Sequence, residues 1–189
     1  MKFISKLEAR WVQSNSLLCV GLDPQLDRIP DSFKRQNSPY FDFCKAIVDA
    51  THELVCCFKP QAAYFSAVGA EDQLEKLVSY INEKHPSIPV ILDAKRGDIG
   101  STAALYAKEA YDRYGADAVT VNPYLGFESI EPYMQYEDKG IVVLCRTSNP
   151  GSDWLQKNKE DLVPVYQRVA KQVADWNQKD QFVLVTGAT

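Results

Sequence analysis

Residues 88–100 read IPVILDAKRGDIG, an apolar run that ends in a cluster of charged side chains. The run Ile88–Leu92 has the β-branched enrichment of a strand that is buried on both faces, and a helical pattern begins at Gly100. The charged residues therefore lie where a strand passes into a helix. In α/β proteins the carboxyl ends of the strands carry the binding site, so residues 93–98 are a first candidate for one.

The hexamer Asp93–Asp98 holds two acids and two bases. Because side chains alternate along a strand, we expect Asp93 and Lys95 to point to the same side, and Gly97 to turn the chain so that Asp98 returns toward them. The alternative is a solvated ion pair between Asp93 and Lys95, with Asp98 as the N-cap of the next helix. The hexamer alone leaves both interpretations open.

The rest of the chain repeats a strand followed by a helix. Six short apolar segments bounded by turn residues predict strands: Leu17–Leu22, Leu54–Phe58, Ile88–Leu92, Ala116–Val121, Ile141–Cys145 and Phe182–Val185. Strict alternation predicts a parallel sheet with right-handed crossovers, either an open doubly wound sheet or a (β/α)8 barrel. Nothing in the composition of the 189 residues suggests a second unit, so we expect residues 1–189 to form one domain.

Three apolar stripes at helical spacing predict helices that pack on this sheet. They consist of Leu74, Leu77, Val78 and Ile81; of Ala103, Ala104, Ala107, Ala110 and Tyr111; and of Leu162, Val165, Val169, Val173 and Trp176. Such spacing is typical of amphipathic helices, so we expect these side chains to be buried in the core.

The bulk composition excludes several classes of protein. The net charge of −4 argues against a nucleic-acid or anionic-membrane surface. No apolar run approaches the length of a membrane span, and the charged start of the chain is no signal peptide. The five cysteines are odd in number and show no CxxC spacing, so we expect buried, reduced thiols and a cytoplasmic protein.

Polar residues stand at the ends of consecutive predicted strands. They are Asp23, Lys59, Asp93 with Lys95, Asn122, and Arg146 with Ser148. A stable fold does not need such a ring of polar groups, whereas a site built from several strand ends does. The ring is more specific than the hexamer and predicts an active site at this edge of the sheet.

The neighbours of Lys95 limit the chemistry that it can perform. A lysine that forms a Schiff base needs a neutral amine, which desolvation or neighbouring cations favour. Asp93 and Asp98 favour the charged ammonium instead, so we expect Lys95 to act as an acid. A proton donor beside carboxylates suits a reaction that generates a carbanion.

Five segments together resemble the motifs of orotidine 5'-phosphate decarboxylases of the longer bacterial type, in the same order and over essentially the whole chain. They are Gly21–Pro24, Phe58–Pro60, Asp93–Gly100, Asn122–Gly126 and Arg146–Gly151. The resemblance implies a (β/α)8 TIM barrel, of which this chain holds about six βα units. It also implies conversion of orotidine 5'-monophosphate to uridine 5'-monophosphate and CO2 in de novo pyrimidine biosynthesis, without metal or organic cofactor, by a homodimer with shared active sites.

The resemblance also implies roles for individual residues. Lys95 matches the proton donor to C6, and Asp93 the carboxylate that lies against the departing carboxylate. The residues that match substrate contacts are Lys59 and Asp23 at the ribose, Ser148 at the pyrimidine, and Asn122 in its motif at the end of the fourth strand. Asp98, Ile99 and Thr102 match the group that reaches into the site of the partner subunit.

One departure from the family pattern concerns length. Barrels of this kind have eight strands and about 250 residues, whereas the sequence predicts six strands here. We therefore expect a partial sequence without the phosphate-gripping loops of strands seven and eight, and weak or no turnover from these 189 residues alone. Two alternatives are a magnesium-dependent sugar-phosphate decarboxylase or synthase of a related barrel family, and an inactive nucleotide-binding fragment.

Overall fold

The structure is a computed structural model that describes residues 1–160 and 162–187. Its strands are β1 (Cys19–Leu22), β2 (Cys57–Pro60), β3 (Ile91–Arg96), β4 (Ala118–Val121), β5 (Gly140–Arg146), β6 (Lys159–Glu160), β7 (Val163–Pro164) and β8 (Phe182–Thr186). Its α-helices are α1 (Phe3–Ser14), α2 (Asp31–Lys34), α3 (Pro39–Thr51), α4 (Ala62–Ser66), α5 (Glu71–Lys84), α6 (Gly100–Lys108), α7 (Glu131–Met134), α8 (Asp153–Gln156) and α9 (Val165–Trp176). A π-helical turn, Glu109–Arg113, continues α6, and short 3-10 turns occur at Pro123–Leu125, Phe127–Ser129 and Pro150–Ser152.

The main strands run parallel and follow one another in chain order. β1 pairs with β2, and a second sheet has the order β3-β4-β5-β8. Two isolated bridges, Phe58 to Val90 and Gln61 to Asp93, join β2 to β3. A doubly wound sheet reverses its strand order at a switch point, and no reversal occurs here, so the arrangement is of the barrel type. Among the described strands, β1 and β8 each have one unpaired edge, and the sheet is not closed.

All six predicted strands occur, but two of them are displaced toward their carboxyl ends. β2 covers Cys57–Pro60 instead of Leu54–Phe58, and β3 covers Ile91–Arg96 instead of Ile88–Leu92. Both strands thus continue into the charged residues that follow their apolar runs. A prediction based on apolar residues alone could not place these strand ends. The small antiparallel hairpin of β6 and β7 was not predicted.

Apolar side chains fill both faces of the sheet. The larger cluster lies between the strands and the helices and includes Phe58 with Leu74, Leu77, Val78 and Ile81, all fully buried as the first stripe predicts. The other face is covered by α1, whose Phe3 and Leu7 pack with Cys57, Ile91, Ala118 and Val142. Gly140 makes this packing possible, because a Cβ atom at that position would lie 2.0 Å from Phe3 Cδ1.

Three of the side chains predicted to be buried are exposed. Ala104 lies on the solvent side of α6, and Leu162, which is 86% exposed, precedes α9 in the turn between β6 and β7. Leu162 has a φ of 68°, a left-handed conformation typical of tight turns. Cys19 is exposed because it lies on edge strand β1, while the other four cysteines are buried and all five are free thiols.

Within the described residues, no helix has both the length and the apolar character needed to cross a membrane.

Candidate active site

The carboxylate of Asp93 is the centre of a hydrogen-bonded cluster at the carboxyl end of β3. Its Oδ1 atom accepts hydrogen bonds from Lys95 Nζ at 2.7 Å and from Thr120 Oγ1 at 2.8 Å. Its Oδ2 atom accepts hydrogen bonds from Lys59 Nζ at 3.0 Å and Gln61 Nε2 at 3.3 Å. Asp93 is only 5% exposed, so the full set of partners compensates for the burial of its charge.

The electrostatics of the cluster keep its groups charged. Burial acts to raise the pKa of Asp93, but hydrogen bonds from Lys95, Lys59 and Thr120 together outweigh it, and the pKa is lowered. Burial acts to lower the pKa of Lys59, but the hydrogen bond and the charge of Asp93 outweigh it, and the pKa is raised. The side chains of Lys59 and Lys95 thus share the one buried carboxylate of Asp93, one at each of its oxygen atoms.

The backbone of Lys95 is held in an unusual conformation. Its φ is 45°, in the left-handed region, where a non-glycine residue is disfavoured by about 1–3 kcal/mol. The register of β3 against β4 shifts between Leu92 and Arg96, so the strand is irregular at this point. The expectation that Lys95 points to the same side as Asp93 is confirmed by the 2.7 Å contact between them, and the Lys95 side chain is 47% exposed.

Two members of the cluster were missed by the sequence analysis. The hydroxyl of Thr120 donates to Asp93 and also accepts the amide hydrogens of Ala94 at 3.0 Å and Lys95 at 2.9 Å. Gln61 follows directly on β2 and forms the isolated bridge with Asp93. A threonine in the otherwise apolar strand Ala118–Val121 was the available signal for Thr120, whereas no comparable signal distinguished Gln61.

The expectation that Gly97 returns Asp98 toward Asp93 and Lys95 is wrong. In the described part of the chain, no hydrogen bond or ion pair joins Asp98 to either residue, and its Oδ1 atom accepts the amide hydrogen of Ile99 at 2.8 Å. Asp98 is not the N-cap of α6 either, since Ile99 holds that position. Gly97 permits a close approach instead, because a Cβ atom there would lie 3.2 Å from Asn122 Cβ.

Ile99 and Thr102 are exposed beyond the end of β3, and Ile99 is 55% exposed. The large apolar side chains of Tyr124 and Leu125, which follow β4, are exposed as well. Singly exposed apolar residues are common on protein surfaces, but these lie on segments that immediately follow two neighbouring strand ends.

The remaining predicted residues surround the cluster without joining it. Asp23 is exposed and borders a cavity of about 360 Å³, together with Arg28 and Tyr64. A larger cavity of about 810 Å³ adjoins it and shares Gln25 and Tyr64. Asp23 lies close enough to Lys59 for its charge to contribute to the raised pKa of the ammonium.

Asn122 and Ser148 lie at the carboxyl ends of β4 and β5. Asn122 Oδ1 accepts the amide hydrogen of Tyr124 at 3.0 Å and caps a 3-10 turn. Ser148 is exposed, and its backbone passes so close to Gly187 that a Cβ atom there would lie 2.9 Å from Ser148 N.

Arg146 differs from the other strand-end residues, because its guanidinium is used within its own loop. It donates to Asp153 Oδ1 at 2.6 Å, to Gln156 Oε1 at 3.1 Å and to the hydroxyl of Ser152. Arg146 therefore holds the segment after β5 in place beside Ser148.

Comparison with known proteins connects this cluster to one family. The model of the orotidine 5'-phosphate decarboxylase / HUMPS family matches residues 16–188. The orotidine 5'-phosphate decarboxylase of Ralstonia pickettii is 59% identical over the whole chain, which spans 70% of that relative. The same is true of the enzyme of Dechloromonas aromatica, at 58% identity.

A solved structure supports the same relationship. The OMP decarboxylase of Leishmania donovani superposes with a TM-score of 0.88 at 39% identity, over 100% of this chain and 72% of the other. The fold is therefore of the TIM-barrel type, as the sequence predicts. With a family model that matches nearly all of the chain and relatives at almost 60% identity, this protein belongs to the orotidine 5'-phosphate decarboxylase family.

Proposed function

We propose that this protein decarboxylates orotidine 5'-monophosphate to uridine 5'-monophosphate and CO2 in pyrimidine biosynthesis, with Lys95 as the proton donor. The observation that carries the proposal is the buried carboxylate of Asp93 between two ammonium groups, Lys95 at 2.7 Å and Lys59 at 3.0 Å. Family membership and the names of the relatives support the same substrate and reaction.

The geometry suits the charge changes of this reaction. When the bond between C6 and the carboxylate breaks, the electron pair stays on C6, where an ammonium group held nearby stabilises it more than it stabilises the substrate. Lys95 then transfers a proton from Nζ to C6, which completes the product, and regains a proton from solvent. Asp93 orients the ammonium for both steps and faces the departing carboxylate.

Other side chains of the ring bind the rest of the substrate in this proposal. Lys59 and Asp23 contact the ribose, since Asp23 directly follows β1 and its charge acts on Lys59, which lies on the neighbouring strand β2. Ser148 and Asn122 contact the pyrimidine from the ends of β5 and β4. None of these steps requires a metal or an organic cofactor.

A second copy of the chain completes each site. Asp98 makes no hydrogen bond or ion pair with the cluster of its own subunit in the described part of the chain, and Ile99 and Thr102 are exposed, as are Tyr124 and Leu125. We therefore assign Asp98, Ile99 and Thr102 to the site of the partner in a homodimer. Residues 1–189 act as one domain, and the five free thiols favour a cytoplasmic protein.

The test follows the loss of orotidine 5'-monophosphate by absorbance. It uses the chain itself and an extended chimera, in which Thr189 is followed by the part of the Ralstonia pickettii relative that lies C-terminal to the matched region; the chain spans 70% of that relative. We expect Lys95→Ala to lower kcat of the chimera by about 10²- to 10⁴-fold, because a positioned proton donor is lost. Lys171→Ala, which removes an exposed lysine paired with Asp175, is the control. Full activity of the Lys95→Ala variant would contradict the proton-donor role.

The two alternatives predict different results in the same assay. A magnesium-dependent sugar-phosphate enzyme would lose activity with EDTA, but the names of the relatives do not favour it. A nucleotide-binding fragment would bind uridine 5'-monophosphate in calorimetry without turnover in either form of the protein.

A further inference from the structure

Arg96 is the one charged residue of the hexamer that the proposed function leaves without a role. We infer that Arg96 is a positioning residue, which holds Lys95 in its left-handed conformation by anchoring the end of β3 to the helix that follows. The inference rests on the proposed function, because it gives Arg96 its effect through the proton donor.

The side chain of Arg96 points away from the Asp93 cluster into the helical layer. Its Nη2 atom donates to Glu109 Oε2 at 2.8 Å, and its Cζ atom lies 4.4 Å from the centre of the Tyr106 ring. Tyr106 belongs to α6, and Glu109 begins the π-helical turn that continues it. Turns of this kind are rare and often occur at functional sites. The guanidinium is thus fixed by an ion pair and a cation–π contact at once.

The backbone of the same residue is fixed from the opposite side. The carbonyl oxygen of Arg96 accepts the amide hydrogen of Asn122 at 2.7 Å, and Gly97 packs closely against Asn122. Lys95 lies between the Thr120 hydroxyl, which accepts its amide hydrogen, and the anchored Arg96. A left-handed lysine persists only where its surroundings enforce it, and these contacts supply that constraint.

A purely stabilising surface ion pair is the alternative. The Nε atom of Arg96 is buried, and it has no hydrogen-bond partner within the described residues, which is an unfavourable feature for a pair that serves stability alone. The same helical segment offers a matched comparison. Arg113 forms an ion pair with Glu75 at 3.4 Å and lies 5.0 Å from the centre of the Tyr114 ring. Unlike Arg96, Arg113 is not adjacent to Lys95 in the chain.

The experiment compares Arg96→Met and Glu109→Gln with the control Arg113→Met in the 189-residue chain. NMR measures amide hydrogen exchange of Ala94, Lys95 and Asn122, all of which donate hydrogen bonds in this region. A second readout is the side-chain 13Cε signal of Lys95, which is assigned by its disappearance in the Lys95→Ala variant.

We expect the three amides to exchange at least about 10-fold faster in Arg96→Met and Glu109→Gln, while the amides of Leu77 and Val78 in α5 do not change. The Lys95 signal shifts in both variants, and Arg96→Lys partly restores it, because lysine keeps the ion pair with Glu109. Arg113→Met changes neither readout. Unchanged exchange and an unchanged Lys95 signal in folded Glu109→Gln would overturn the inference, as would equal effects in Arg113→Met.

Turnover of the extended chimera separates this inference from the proposed function. We expect Arg96→Met to lower kcat by about 10- to 100-fold with little change in KM, because a displaced donor affects the chemical step. A change in KM alone would contradict the positioning role. Absence of turnover in the parent chimera would count against the proposed function, while exchange and the Lys95 signal would still decide the role of Arg96.

Discussion

The hydroxyl of Thr120 lies 2.8 Å from Asp93 Oδ1 and connects this buried carboxylate to the backbone of Lys95. The same hydroxyl oxygen also accepts the amide hydrogens of Ala94 and Lys95. A single buried oxygen on β4 thereby contributes to the lowered pKa of Asp93 and also holds the backbone at the end of β3.

Replacement of this hydroxyl tests its importance. We expect Thr120→Val to lower the free energy of unfolding by about 1–3 kcal/mol, because the amides of Ala94 and Lys95 lose their acceptor and Asp93 Oδ1 loses one of its two donors. Urea denaturation measures the change. Thr120→Ser keeps the hydroxyl and is the control, with a loss of about 1 kcal/mol for the missing methyl group. A valine variant as stable as the serine variant would show that the hydroxyl contributes little.

The lowered pKa of Asp93 predicts a contribution to stability that is present near neutral pH and lost at low pH. A carboxyl group whose pKa is lower in the folded state stabilises the protein above its unfolded pKa of about 3.9, and this stabilisation is lost as the pH falls through the folded pKa. We expect Asp93→Asn to abolish this part of the pH dependence, so that the wild type and the variant converge in stability as the pH falls through the lowered folded pKa of Asp93. Urea midpoints from pH 2.5 to 7 measure the difference; a constant difference across that range would contradict the assignment.

The close packing of Gly140 and Phe3 allows a prediction about the fold alone. Gly140→Ala places a methyl group 2.0 Å from Phe3 Cδ1, so the aromatic ring and α1 must shift. We expect a loss of about 1–3 kcal/mol, as for other overpacked cores. Gly151→Ala is the matched control, because its Cβ atom would meet no atom closer than 3.9 Å. Equal thermal midpoints for the two variants would contradict the packing described for α1.

The assignment of Asp98 to the site of a partner subunit predicts complementation between inactive variants. Dimers of Lys95→Ala alone and of Asp98→Asn alone are each defective at both sites. A mixed dimer has one site with both native residues, so random mixing restores about a quarter of the activity of the parent chimera. Turnover after mixing measures this recovery, and sedimentation confirms the dimer. If Asp98 acted within its own subunit, mixing would restore nothing.

The sequence predicted what depends on local pattern. The six strands, the buried stripe of α5 and the pairing of Asp93 with Lys95 all follow from periodicity, and the structure confirms them. The position of Asp98 could not be obtained in this way, since it depends on the backbone path after Lys95. Likewise, the hydrogen bonds of Thr120 and Gln61 to Asp93 join residues 27 and 32 positions apart, so they follow from strand register and not from spacing. The role of Asp98 in a partner subunit stays a prediction.

The Asp93 cluster spans the junction between β2 and β3. Two isolated bridges form this junction, and one of them includes Asp93 itself. The ion pair of Lys59 with Asp93 and the hydrogen bond from Gln61 cross the same junction. The ion pair between Lys59 and Asp93 therefore opposes a sliding motion of β1 and β2 against the four-stranded sheet. A ligand anion that drew Lys59 away from Asp93 would remove one of these contacts, so we expect ligand binding to change how firmly β2 is held to β3.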